Sequence, residues 1–178
     1  MNNRLILTST LLSALSVLAV APALAAQEAT RVQIRVTAKD AKIIGSSVGG
    51  ARITVRDAAT RAVLAEGIQE GSTGNTDQIM SSWARGAPIF AAEGAGGFLA
   101  ELELSEPTRV EIHAEGPLGA NHAIQSATKT LLLIPGHDVV GEGVIIELNG
   151  FTVELQAPSD TKAVDAVAPF DVRARVTM

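Results

Sequence analysis

Apolar and polar residues alternate with period two along most of this chain, and that pattern limits the folds open to it more than any other feature. Val32, Ile34 and Val36 interleave with Arg31, Gln33, Arg35 and Thr37. Ile53 and Val55 interleave with Arg52, Thr54 and Arg56, and Phe98, Ala100, Leu102 and Leu104 with Glu101 and Glu103. Val110, Ile112 and Ala114 alternate with Arg109, Glu111, His113 and Glu115. Phe151, Val153 and Leu155 alternate with Thr152, Glu154 and Gln156, as do Val172, Ala174 and Val176 with Asp171, Arg173, Arg175 and Thr177. Successive strand side chains point to opposite faces, so each segment has one dry and one wet side. Two further runs, Leu131 to Ile134 and Val144 to Leu148, are nearly all apolar and read as central strands. The expected fold is all-β, an antiparallel sandwich of roughly seven to nine strands.

Turn residues divide the strands. Asp57-Ala58-Ala59-Thr60 predicts a hairpin between Ile53–Arg56 and Ala62–Ala65. Ser105-Glu106-Pro107 separates Phe98–Leu104 from Arg109–Ala114, read as a pair with Leu102 opposite Val110 or Ile112. Asn149-Gly150 is a two-residue turn signal joining Val144–Leu148 to Phe151–Leu155. Only a turn or two of helix is expected, near Thr76 to Ala84. Residues 68–96, Gly-rich and holding the sole Trp, and residues 116–128 fall outside the strand pattern and read as long loops. Ala157 to Ala168 reads as a linker before a last strand that closes a sheet edge.

The start of the chain is different. Arg4 precedes an apolar run from Leu5 to Val20, then Ala21-Pro22-Ala23-Leu24-Ala25-Ala26 before Gln27. Charged, apolar and small-residue segments in that order read as a secretory signal peptide over residues 1–26, cleaved after Ala25 or Ala26. Residues 27–178 then form one domain in the periplasm or outside the cell. The net charge of −5 becomes −6 once Arg4 leaves. An acidic chain lacks the clustered Lys and Arg that nucleic acid requires. No later apolar stretch is long enough to span a membrane, so the processed chain is expected to stay out of it. With no Cys, thiol catalysis, thiolate zinc, haem attachment and disulfides are excluded.

Part of the chain resembles a known family. Gly50-Ala51-Arg52-Ile53-Thr54-Val55 resembles the "G-A-x-V-x-V" strand of transthyretin-like, carboxypeptidase-regulatory-like modules. Gly97-Phe98-Leu99-Ala100-Glu101-Leu102 resembles their "G-x-F" strand, and Pro107 to Gly116 the strand that follows. The resemblance covers about residues 31–116 and departs from the family in the thirty or so residues before Gly97, where such modules have a short turn. It implies a prealbumin-like sandwich (an Ig-like one is the alternative) serving as an accessory or recognition module without catalysis.

Motifs for chemistry are sparse. Neither Ser126 nor Ser159 sits in a Gly-x-Ser-x-Gly elbow, so hydrolysis would need a triad assembled only by folding. Glu101 and Glu103 share a strand face, a pattern that usually means solvation. The oxygen-rich stretch Glu70 to Asp77 lacks the spacing of a calcium loop. His113, His122 and His137 raise a copper or zinc alternative, a periplasmic metal-binding protein, but no pair has ligand spacing. No cofactor is expected. The sharper feature is Trp83 with Arg85 in the first loop: a plug over the sandwich end, which is the favoured reading, or a recognition anchor. The expected role is a non-enzymatic accessory or binding protein that recognises a protein or small molecule through loops 68–96 and 116–128. Trp83, Arg85 and His122 are its candidate contacts.

Overall fold

A computed structural model describes residues 29–150, 152–159, 163–165 and 167–177. The expected leader, residues 1–26, lies outside the described residues, as does Phe151. Among the described residues there are nine strands: β1 (Thr30–Ala38), β2 (Arg52–Asp57), β3 (Val63–Ile68), β4 (Phe98–Leu102), β5 (Thr108–Gly116), β6 (Gln125–Leu133), β7 (Val139–Leu148), β8 (Thr152–Ala157) and β9 (Arg173–Thr177). Besides two 3-10 turns, Ser46–Val48 and Asn121–Ala123, the described residues hold one short α-helix, α1 (Thr76–Ile79), inside the stretch expected to hold one. The chain is nearly all β.

The first sheet has the order β4-β1-β7 and the second the order β3-β2-β5-β6. Their inward residues meet in one hydrophobic cluster, with Ile34, Leu102 and Ile146 from the first sheet and Ile53, Ile112 and Leu133 from the second. Burying each such side chain contributes about 1.5–3 kcal/mol. The dry side of each alternating segment in this body therefore faces the core, as the pattern requires. The expected β2–β3 hairpin is present, with Thr54 opposite Glu66. Asp57 closes its turn by accepting hydrogen bonds from Ala59 N (2.7 Å) and Thr60 N (2.8 Å). Those N–H groups hold its carboxyl below the ordinary aspartate range.

Several expectations are corrected. β4 and β5 do not pair: β4 lies beside β1, and β5 lies between β2 and β6. Leu102 and Ile112 still share the core, but from facing sheets, which satisfies the same parity without a ladder. One pairing is parallel, between β1 and β7. The apolar segments β6 and β7 are edge strands, not central ones. The outward-facing Leu132 and Ile134 at the end of β6 are exposed, so their hydropathy does not report burial. Asn149-Gly150 does not make a hairpin, because β8 pairs with β9 instead of β7. Gly150 lacks the positive φ of a type I′ turn and lies where a Cβ would stand 2.8 Å from Lys39 O. The last strand closes neither main sheet; β8 and β9 form a separate ribbon. Finally, β5 extends to Gly116 and β6 begins at Gln125, which shortens the second loop to residues 117–124.

Candidate functional site

Between Ile68 and Phe98 the chain leaves the sheets and returns, forming an excursion over residues 69–97. Its neck is closed by backbone bonds: Gly97 N donates to Glu70 O (3.0 Å), Gly96 N to Ser72 O (2.8 Å) and Ser72 N to Gly94 O (2.8 Å). At its root sits Gln69, fully buried. Its Oε1 accepts from Val36 N (2.7 Å), and its Nε2 donates to Val36 O (2.9 Å) and Ile44 O (2.8 Å). A single side-chain amide thus serves β1 where β4 no longer runs alongside it.

The excursion lies against the outer face of the first sheet and is held by two charged residues. Arg35 is only 8% exposed. It donates through Nη1 to Gly96 O (2.7 Å) and Ala95 O (3.1 Å). Burial pulls its guanidinium below the ordinary arginine value, against the opposing pull of Glu142. Glu142 accepts from Phe90 N (2.9 Å) and Ala91 N (2.9 Å). The sequence Gly141-Glu142-Gly143 makes this possible. Both glycines have positive φ, and Gly143 packs so closely that a Cβ would lie 2.1 Å from Gln33 O. Here the β1–β7 register shifts, between Val32↔Val139 and Ile34↔Val144. The resulting bulge sets Glu142 beneath the excursion.

Within the excursion, Asn75 caps α1 by accepting from Gln78 N (3.1 Å). Gln78 Nε2 donates to Pro88 O (3.1 Å), tying the two limbs together. Ile79 and Ile89 are buried while Met80 and Trp83 stand out. The result is a cleft of about 380 Å³. Its floor comes from the end of β1 and the turn after it, with Thr37, Ala38 and Ala41, all buried. One wall is Ile79, Met80, Ser81, Trp83 and Phe90; Asp40 and Glu147 supply carboxylates. Thr37 and Glu147 are register partners on β1 and β7 and share the outer face.

Trp83 is 51% exposed, which corrects the reading of it as a buried plug. The indole lines the cleft. Arg85 is exposed and does not line it, and neither does His122. His122 belongs to the other loop, where its Nε2 lies 3.5 Å from Glu154 Oε2 of the ribbon. The three candidates are therefore not brought together in one cleft. Thr37, Asp40 and Glu147 were missed. Asp40 follows a strand and has no motif around it, and Thr37 and Glu147 read as ordinary wet-face residues.

The other candidate chemistry is dispersed. His113 sits on the outer face of the second sheet, with Nδ1 3.0 Å from Thr128 Oγ1 and Nε2 3.4 Å from Glu115 Oε1. Around it Arg61 pairs with Glu111 (2.8 Å) and Arg52 with Glu115 (3.4 Å). Arg61 also keeps the Glu111 carboxyl below its ordinary value. Among the described residues no three His, Asp or Glu side chains converge where a metal could be held, and no helix is long and apolar enough to cross a membrane. The chain was compared with protein-family models, curated proteins and solved structures, and it matches none.

Proposed function

We propose that this chain is an exported accessory protein that binds a partner or small molecule and catalyses nothing. On this reading a prealbumin-like sandwich is the scaffold, and the excursion over residues 68–96 adds the recognition site. The observation that carries it is Trp83, the only Trp in the sequence, held half-exposed in a cleft whose floor is buried. A large aromatic left open to water forgoes the stabilisation of burial, and a rigid aromatic beside a concave surface is the usual anchor of a binding site. The leader supports export, and the Gly50–Val55, Gly97–Leu102 and Pro107–Gly116 segments support the prealbumin-like reading. The proposed site takes Trp83 and sets aside Arg85 and His122.

The test is a fragment titration with benzyl alcohol, benzylamine and benzamidine, followed by amide and indole chemical shifts. Shifts should concentrate on Trp83 and on Thr37 to Ala41. Shifts scattered over the surface, or none, would remove the cleft as the binding site. Sequencing the amino terminus of the exported protein should find Ala26 or Gln27 first.

A further inference from the structure

The charges around the cleft are of two kinds. Arg35 and Glu142 are committed to the backbone of the excursion. Asp40 and Glu147 are not: among the described residues neither makes an ion pair or a side-chain hydrogen bond, and no Lys, Arg or His lines the cleft with them. Asp40 sits at φ 55, a conformation uncommon for a residue with a side chain, at the tip of the turn that follows β1. The floor adds a third group. Thr37 is only 2% exposed, lines the cleft, and its hydroxyl has no hydrogen-bond partner among the described residues. A hydroxyl that lines a cleft without a protein partner can donate to or accept from a group that arrives from outside. The Trp83 ring and the Met80 thioether, the latter 56% exposed, line the same cleft as these oxygens.

We infer that the cleft takes an organic cation on an apolar stem, of which the arginine side chain is the simplest form; this rests on the binding reading above. Uncompensated carboxylates and an indole both favour positive charge, the first by Coulomb attraction and the second through the negative face of its ring. An apolar stem suits Met80, Ile79 and Phe90. A guanidinium fits better than a compact ammonium: it is planar, stacks on an aromatic face, and spreads several donors toward separate oxygens such as those of Asp40, Glu147 and Thr37. A volume of about 380 Å³ is at the small end of ligand sites, enough for one such side chain and its neighbours.

The test compares N-acetyl-arginine amide with N-acetyl-citrulline amide, which keeps the shape and loses the charge. Both are titrated calorimetrically into the protein purified from its host. The cation should bind at least about fivefold tighter, given the size of cation–π and exposed ion-pair effects. Its advantage should shrink between about 0.05 and 0.5 M salt, as the screening length falls. Asp40→Asn with Glu147→Gln should weaken it roughly tenfold and leave citrulline unaffected. Both positions are exposed, and an unchanged melting temperature would show that the variant is folded. Equal affinity for the two compounds, unmoved by salt or by the double variant, overturns the cationic assignment while the cleft reading stands. Failure of both compounds, together with no fragment shifts at Trp83, removes the cleft as well. A short glycine peptide carrying one Arg locates the source of the cation. Binding tighter than the amide points to a partner polypeptide and equal binding to a free small molecule; each agrees with the inference.

Discussion

The outer faces of the two sheets carry much the same alternation and meet different fates. On the second sheet, Arg52, Glu111, His113 and Glu115 stay at or near the surface in a mixed-charge lattice completed by Arg61, the partner of Glu111, with the small Thr54 buried among them. On the first, Arg35 and Thr37 occupy equivalent wet positions and yet are buried. The difference is the segment 68–97, which lies over one face and not the other. A polar residue at every second position marks a face turned away from the core. It does not tell whether that face meets water or another piece of the chain. Where it meets chain, a charge must find backbone partners, as Arg35 and Glu142 do, or remain costly.

The largest effect that would break this contrast is at the root of the excursion. Gln69→Ala leaves Val36 N and Ile44 O buried without their amide partner. At about 1–3 kcal/mol for each orphaned group, the loss should be about 2–6 kcal/mol in a denaturant titration. That is a large share of the stability expected for one domain. A normal midpoint would mean that the covered face does not depend on this clasp.

A matched pair sharpens the comparison. Arg35→Met, on the covered face, should cost about 1–3 kcal/mol and raise amide hydrogen exchange over residues 90–97, since Ala95 and Gly96 lose their donor. Arg52→Met, on the open face, should leave both unchanged, because its partner Glu115 lies in solvent. Similar results at the two positions would erase the distinction between the faces.

The smallest effect concerns the uncovered end of the first face, where Arg31 pairs with Asp138 through Nη2 (2.6 Å) and Nε (2.9 Å), and Arg31 N also donates to it (2.8 Å). These donors, the Arg31 side chain foremost, hold the Asp138 carboxyl below its ordinary value. A carboxylate that titrates lower folded than unfolded adds stability above its unfolded value, near pH 4, and that contribution disappears as pH falls through the folded value. The acid limb of melting temperature against pH should therefore be shallower in Asp138→Asn, while Asp57 and Glu111 keep part of it. An unchanged limb would assign acid sensitivity elsewhere.

Much of the body was legible from residues alone, because burying an apolar side chain decides a strand's orientation locally. Ile53, Val55, Val110 and Ile112 face the core as their parity requires. Strand neighbours were less legible. Parity is equally satisfied when Leu102 sits beside Ile112 in one sheet or across from it in another, and nothing in Ser105-Glu106-Pro107 distinguishes the two. Asn149-Gly150 misled for a related reason: the turn signal assumes that the next strand folds back, whereas β7 is already committed to β1. Of the candidate site, Trp83 was found because it is unique. Asp40, Thr37 and Glu147 could not be found, since only the approach of three separate segments gives them a common cleft.

Local chemistry was enough to make this an all-β chain with defined inward residues and an irregular Trp-bearing segment, because side-chain alternation acts at short range. Which strands became neighbours, which outer face was covered, and how Trp83 came to share a cleft with two unpaired carboxylates were settled only when distant segments packed. Those outcomes depend on competition among many contacts of similar strength, and the winning set is a property of the whole fold.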